Sequence, residues 1–240
     1  MRISDKILIG TFCFIVMAGA AVHLALYMKF HSGGLISDAN MRKQQFNSYS
    51  LPPIRYVKIE GLQNLRIMPA SKPGLEINKN AVDRIRFEIK GDSLWLTSDI
   101  NSYEATKNSF GPIVRDLETD LFLNGPVPVT VTYSNLQVSG ARDSLLAPDY
   151  QLSVSNSKLQ LGEFIFYDSL ASYFNRVRIS ALDQSEIRFT KKIDSLYIDL
   201  SNSLLSDEDC GRFGHIQLYL NGSSHIHLDG YNIARMLDKR

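Results

Sequence analysis

Cysteine is scarce: the 240-residue chain has two. Cys13 lies in an apolar stretch and Cys210 far downstream. The downstream region therefore has no second thiol for an internal disulfide and too few for a thiolate metal site. Charge of one sign is also lacking. Lys and Arg number 26, Asp and Glu 25, for a formal net charge of +1. Arg2, Lys6 and Lys29 face only Asp5 in the first 31 residues, so the remainder carries a net −1. This excludes the basic excess of a nucleic-acid binder and the one-signed field that steers charged substrates. No phosphate-binding glycine loop occurs. Beyond residue 54 no convincing 3.6-residue period runs for 12 residues or more, and the best helix candidate is a short stretch around Ile113 to Leu121.

One long apolar run is present. Ile7 to Met28 holds 22 residues without Asp, Glu, Lys or Arg. As a helix it would extend about 33 Å, the thickness of a bilayer core. His23 is the one titratable imidazole inside it, and Tyr27 and Lys29 suit the boundary as interfacial anchors. The expectation is an uncleaved signal anchor with a large domain translocated behind it. The rival reading is a cleavable signal peptide with its site at Ala18-Gly19-Ala20. Both place the downstream domain across the cytoplasmic membrane.

His31 to Pro53 is polar and punctuated by Ser32-Gly33-Gly34 and Pro52-Pro53, as in a linker. From Ile54 apolar residues alternate with polar ones: Val57 and Ile59 around Lys58, Leu65 and Ile67 around Arg66, then Leu75 and Ile77, Ile85 to Ile89, and Leu94 and Leu96 after Gly91-Asp92. A period of two marks strands buried on one face. The division is an N-terminus at 1–6, a transmembrane helix at 7–28, a linker at 29–53, a β domain at 54–231 and a tail at 232–240.

The second half repeats itself. Five units share alternating apolar residues, a short polar break and more alternating residues. Their first strands start at Val129, Leu152, Val177, Leu196 and Ile216, spaced by 23, 25, 19 and 20 residues. Their breaks are Ser134-Asn135, Ser155-Asn156-Ser157, a stretch through Ser185, Ser201-Asn202-Ser203 and Asn221-Gly222-Ser223-Ser224. The second strands begin at Leu136, Leu159, Ile187, Leu204 and Ile226. A period near 20 with one or two strands per unit is the signature of a β-solenoid, since one unit cannot bury its apolar face alone. Short polar residues at the corner bond the local backbone and tolerate left-handed φ. An antiparallel sandwich with regularly spaced turns is the alternative.

These residues resemble the auto-transporter adhesin head domain, or GIN domain, of Gram-negative envelope proteins. Val57-Lys58-Ile59 with Asn64-Leu65-Arg66-Ile67 is similar to that domain's opening, and so is Gly91-Asp92-Ser93-Leu94-Trp95-Leu96. The Ser-Asn-Ser-x-Leu and Asn-Gly-Ser-Ser-x-Ile-x-Leu corners are similar to its later coils. The resemblance spans roughly Ile54 to Tyr231. It implies an all-β, single-stranded right-handed β-helix behind the N-terminal transmembrane helix, a location at the bacterial cell membrane with the domain periplasmic or extracellular, and an adhesive role. The chain departs from the family in its higher charge and in an insertion around Asn101 to Leu121.

Gly91-Asp92-Ser93-Leu94 matches the lettering of a serine esterase motif, but no downstream Asp-x-x-His supplies the base. Asp-Ser-Leu also recurs at Asp143-Ser144-Leu145, Asp168-Ser169-Leu170 and Asp194-Ser195-Leu196, which fits a turn habit. The tripeptide resembles an O-glycan acceptor of one phylum of Gram-negative bacteria, making Ser93, Ser144, Ser169 and Ser195 candidate modified residues. His225 and His227 share a strand face, with His215 as a conceivable third metal ligand; an outward polar face is the simpler reading. Asp207, Glu208 and Asp209 read as a solvated turn, and Asn221-Gly222-Ser223 as a tight turn. Phe164, Phe166, Tyr167, Tyr173 and Phe174 form an aromatic patch suited to capping a core or to contact.

Catalytic, cofactor and metal residues are therefore expected to be none. The expected partners are the membrane, through the N-terminal helix, and an envelope protein or glycan, with no nucleic acid. A binding or adhesion module is the first reading. A self-associating envelope scaffold is the second.

Overall fold

The computed structural model describes residues 3–31, 38–98, 119–141, 146–162, 173–207 and 212–237. The chain forms two compact units, Met1–Gln45 and Phe46–Arg240. The first contains α1 (Ile3–His31) and α2 (Asp38–Gln45). Phe12, Phe14, Ile15, Val16, Met17, Val22 and Leu24 of α1 are all more than half exposed.

Among the described residues no helix is long and apolar enough to cross a membrane. This corrects the expectation of a transmembrane helix at 7–28.

The second unit is mostly β. Among the described residues it has seventeen strands in two sheets. The nine-stranded sheet runs in the order β1 (Phe46–Ser50), β4 (Gly74–Asn78), β7 (Thr119–Leu123), β3 (Leu65–Pro69), β9 (Asn135–Val138), β11 (Lys158–Leu161), β13 (Glu186–Phe189), β15 (Leu204–Asp207) and β17 (His225–His227). The eight-stranded sheet runs β16 (Arg212–Asn221), β14 (Lys192–Ser201), β12 (Tyr173–Leu182), β10 (Tyr150–Ser155), β8 (Pro128–Thr132), β2 (Tyr56–Glu60), β6 (Ser93–Thr97) and β5 (Arg86–Lys90). A helix, α3 (Gly230–Leu237), closes the order.

This is not the single-stranded right-handed β-helix expected from the repeats. Both sheets are open and mixed. β1 with β4, β4 with β7, and β5 with β6 pair antiparallel, and the remaining neighbours pair parallel. The reason lies in the first half, where alternating strands lack the common serine corner. There Gly91, with φ of 63°, turns β5 straight back onto β6, pairing Lys90 with Ser93. The sheet also begins at Phe46, inside the expected linker, because β1 pairs with β4. The helix expected around Ile113 to Leu121 is corrected where it is described: Thr119 to Leu121 open β7.

The five repeat units each place one strand in either sheet. Val129, Leu152, Ile179, Ile198 and Leu218 align across the eight-stranded sheet, two residues past Val177, Leu196 and Ile216, the expected starts of the last three units. Leu136, Leu159, Ile187, Leu205 and Ile226 align across the other. The fourth unit is one residue off its expected frame: Leu205 is fully buried, while Leu204 faces outward. Inward residues of both sheets form one continuous core, including Val57, Ile59, Leu94, Val131, Val154, Ile198 and Leu200. Burial of each such side chain is worth about 1.5–3 kcal/mol.

A serine ladder builds the shared corner. Ser134, Ser157, Ser185 and Ser203 are buried. Each hydroxyl donates back to a carbonyl of its own unit: Ser134 to Thr132, Ser157 to Ser155, Ser185 to Leu182 and Ser203 to Ser201, at 2.6–2.9 Å. Three of them also accept from a neighbouring backbone N–H. Leu62 N donates to Ser134 Oγ at 3.0 Å, Ser134 N to Ser157 Oγ at 3.0 Å and Ser157 N to Ser185 Oγ at 3.4 Å. Tyr133, Asn156 and Asn202, just before a ladder serine, have positive φ. The longer third break needs two such residues, Asp183 and Gln184.

Candidate functional site

The outward positions of the eight-stranded sheet form the candidate site. Alternation sends Val57, Val129, Val131, Leu152, Ile179 and Ile198 into the core. It leaves the residues between them on the opposite face. Ladder register then sets those residues side by side: Lys58 beside Thr130, Thr130 beside Ser153, Ser153 beside Ser180, Ser180 beside Asp199, and Asp199 beside Tyr219. Ser153, Asp199 and Tyr219 are exposed; Thr130 and Ser180 are half-buried.

Larger groups stand at either side of this small-residue strip. On one side Trp95 lies beside Lys58. The Lys58 and Lys90 ammonium groups sit 4.8 and 4.5 Å from its ring centroid, attracted by the ring quadrupole. Lys58 also pairs with Glu60 at 3.3 Å. Tyr56 donates its hydroxyl to Thr130 Oγ1 at 2.8 Å. On the other side the Arg178 guanidinium lies 5.5 Å from the Tyr197 ring, and Tyr197 meets His215 edge-on at 5.9 Å. Gln217 donates to the Tyr219 hydroxyl.

Around β7, β9 and β11 the outer face of the nine-stranded sheet is closed instead. Asp120 is fully buried and receives both Nε and Nη2 of Arg66, at 2.8 and 3.1 Å. Gln137 and Gln160 are buried and both donate to the Gly162 carbonyl. At the C-terminal end Asp229 caps α3 by accepting from Asn232 N, and Arg212 Nη1 donates to it. Asp207 holds this cap through bonds from Asp229 N and Asn232 Nδ2. Asp207 is thus a docking group for the helix rather than part of a solvated turn. Glu208 and Asp209 lie outside the described residues.

The residues singled out in the sequence are scattered. Ser93 opens β6 half-buried, its hydroxyl 3.4 Å from Asp92 Oδ1. Ser195 is not at a turn before a strand; it lies inside β14, beside Arg176 and His215. There the chain bends. Burial skips two positions, from Phe174 to Val177 and from Ile193 to Leu196. Gly214 stacks on this bend, where an added Cβ would come within 2.7 Å of the Asp194 carbonyl oxygen. Ser144 and Ser169 lie outside the described residues, as do Phe164, Phe166 and Tyr167. Tyr173 is half-buried, and Phe174 packs in the core with its ring 6.0 Å from Tyr150.

His225 and His227 are exposed on β17, in the sheet opposite His215. Among the described residues no group of three His, Cys, Asp or Glu could hold a metal ion. The strongly shifted group is structural: burial pushes the Tyr150 phenol well above its ordinary value. Its hydroxyl donates to the Ser139 carbonyl at 2.9 Å. The strip of Thr130, Ser153 and Ser180 was not singled out in the sequence. The available signal was the small hydroxyl side chain between inward-facing residues of successive units, but its meaning depends on lateral register.

No family model matches the chain, and no curated protein matches it. Among solved structures it is similar to a candidate adhesin of Bacteroides fragilis, at 13% identity, covering 77% of this chain and 96% of that one, with a TM-score of 0.35. A candidate adhesin of Parabacteroides merdae is 9% identical, with 77% and 95% covered and a TM-score of 0.25. A candidate cell-adhesion protein of Clostridium sporogenes is also 9% identical, with 77% and 98% covered and a TM-score of 0.25. These three structures are named for adhesion, and another similar one, from Parabacteroides distasonis, is named for lipid binding; the GIN domain is not among the names.

Proposed function

We propose that the chain is a non-catalytic binding module of the bacterial cell envelope, acting outside the cytoplasm and holding its ligand on the outer face of the eight-stranded sheet. The observation that supports this reading is the aligned strip from Lys58 to Tyr219, contributed by six adjacent strands. It places small hydroxyl groups in a row, while β7, β9 and β11 of the opposite sheet bury and pair their outer polar groups. A face kept open on rigid strands, flanked by aromatic rings, suits recognition of an extended partner. Membrane contact is assigned to the exposed apolar side chains of α1.

Two measurements test the reading. Protease shaving of whole cells and spheroplasts should digest the β unit from outside the inner membrane. A photo-crosslinking residue in place of Tyr219, in cells expressing the full chain, should yield adducts with species other than the chain itself. Self-adducts alone would favour the scaffold reading.

A further inference from the structure

We infer that the strip Lys58, Thr130, Ser153, Ser180, Asp199 and Tyr219 is a row of subsites for an extended, uncharged polysaccharide laid across the strands. The inference rests on the binding-module reading and names its ligand class. The geometry supplies the first argument. Each residue of the strip is one strand from the next. Strands lie roughly 5 Å apart, so the row presents a polar group about every 5 Å over roughly 24 Å. That repeat is about the length of one sugar ring along an extended glycan. A row of this length accommodates about five rings with a recurring hydrogen-bond partner for each.

The chemistry supplies the second. Thr130, Ser153 and Ser180 hydroxyls both donate and accept, as sugar hydroxyls require. Tyr219, 57% exposed at the end of the row, offers a ring face to the apolar side of a pyranose. Charge argues for an uncharged chain. Lys58, the cation of the row, is engaged by Glu60 and Trp95. Asp199 is the row's carboxylate and accepts from Asn221 Nδ2 at 3.3 Å; it would repel an acidic polymer. An apolar peptide finds little here, because the middle of the strip is hydroxyl rather than hydrocarbon.

The test is calorimetric titration of the full chain in detergent micelles with cellohexaose, chitohexaose and mannohexaose, each against its disaccharide. At least one hexasaccharide should bind, its disaccharide about tenfold or more weakly, because affinity accrues over successive subsites. Ser153→Arg and Ser180→Arg place bulk on the row at positions outside the core, and should each weaken the hexasaccharide about tenfold or more. An unchanged urea midpoint in both variants shows that folding is intact. Equal binding of hexa- and disaccharide, unchanged affinity in both arginine variants, or no heat with any of the three sugars would overturn the inference. If titration fails while the Tyr219 crosslink still captures a foreign protein, the glycan assignment falls and the binding reading stands. If only self-adducts form, both fall.

Discussion

The two sheets receive the same alternating pattern and treat their outer faces in opposite ways. On the nine-stranded sheet, Asp120, Gln137 and Gln160 are buried and hydrogen-bonded. On the eight-stranded sheet, Ser153, Asp199 and Tyr219 are exposed. The difference teaches that polar outer positions do not have one meaning. A buried polar group must be paired, and pairing makes it structural. An exposed small hydroxyl contributes little to stability and remains available to a ligand.

That contrast can be broken by mutation. The largest effect is expected at Asp120→Ala, which removes the carboxylate that accepts from both Nε and Nη2 of Arg66, whose side chain is 15% exposed. Removing one partner of such a buried pair costs about 3–5 kcal/mol. A urea midpoint close to that of the parent would show that the closed face is not held by this pair.

Next comes the corner shared by both sheets. Ser157→Ala removes the donor to the Ser155 carbonyl and the acceptor of Ser134 N, at a cost of about 1–3 kcal/mol for the buried group left unsatisfied. A cost no larger than that of an exposed serine would refute the ladder's structural role.

Tyr150→Phe is expected to cost about 1 kcal/mol at neutral pH, from loss of the bond to Ser139. Its sharper readout is alkaline stability. Burial raises the folded phenol's pKa, so the neutral form is favoured in the folded state. That contribution is complete below the unfolded value near 10 and drains away as pH rises above it. The parent should therefore lose more stability than Tyr150→Phe between about pH 9 and pH 11. Parallel losses would show that the phenol is not buried.

The smallest effect is expected on the open face. Ser180→Ala should shift stability by less than about 0.5 kcal/mol. A loss comparable to that at Ser157 would mean that the strip is built for folding rather than recognition.

Much of the core was legible beforehand. Alternation located Val57, Ile59, Leu65, Ile67 and the inward positions of the repeats apart from Leu205, because a strand's side-chain period belongs to its own backbone. The Ser and Asn corners were legible for the same reason: short polar side chains bond nearby backbone groups whatever surrounds them. The open, mixed sheets were not legible. The turn at Gly91-Asp92 reads the same whether the next strand returns antiparallel or advances to another layer. Nor was the frame at Leu204 and Leu205. Adjacent leucines satisfy either register, and Ser203 selected Leu205 by aligning with Ser185 and Ser157 in the ladder.

By itself, then, the sequence determined most of the strands beyond Ile54, which side of them is apolar and where the repeats turn, since these follow from interactions a few residues apart. The tertiary structure alone decided that Arg66 meets Asp120 across 54 positions, and that residues from Lys58 to Tyr219 form one row. Both depend on the lateral register of distant strands, which is set by packing of the shared core rather than by any local preference.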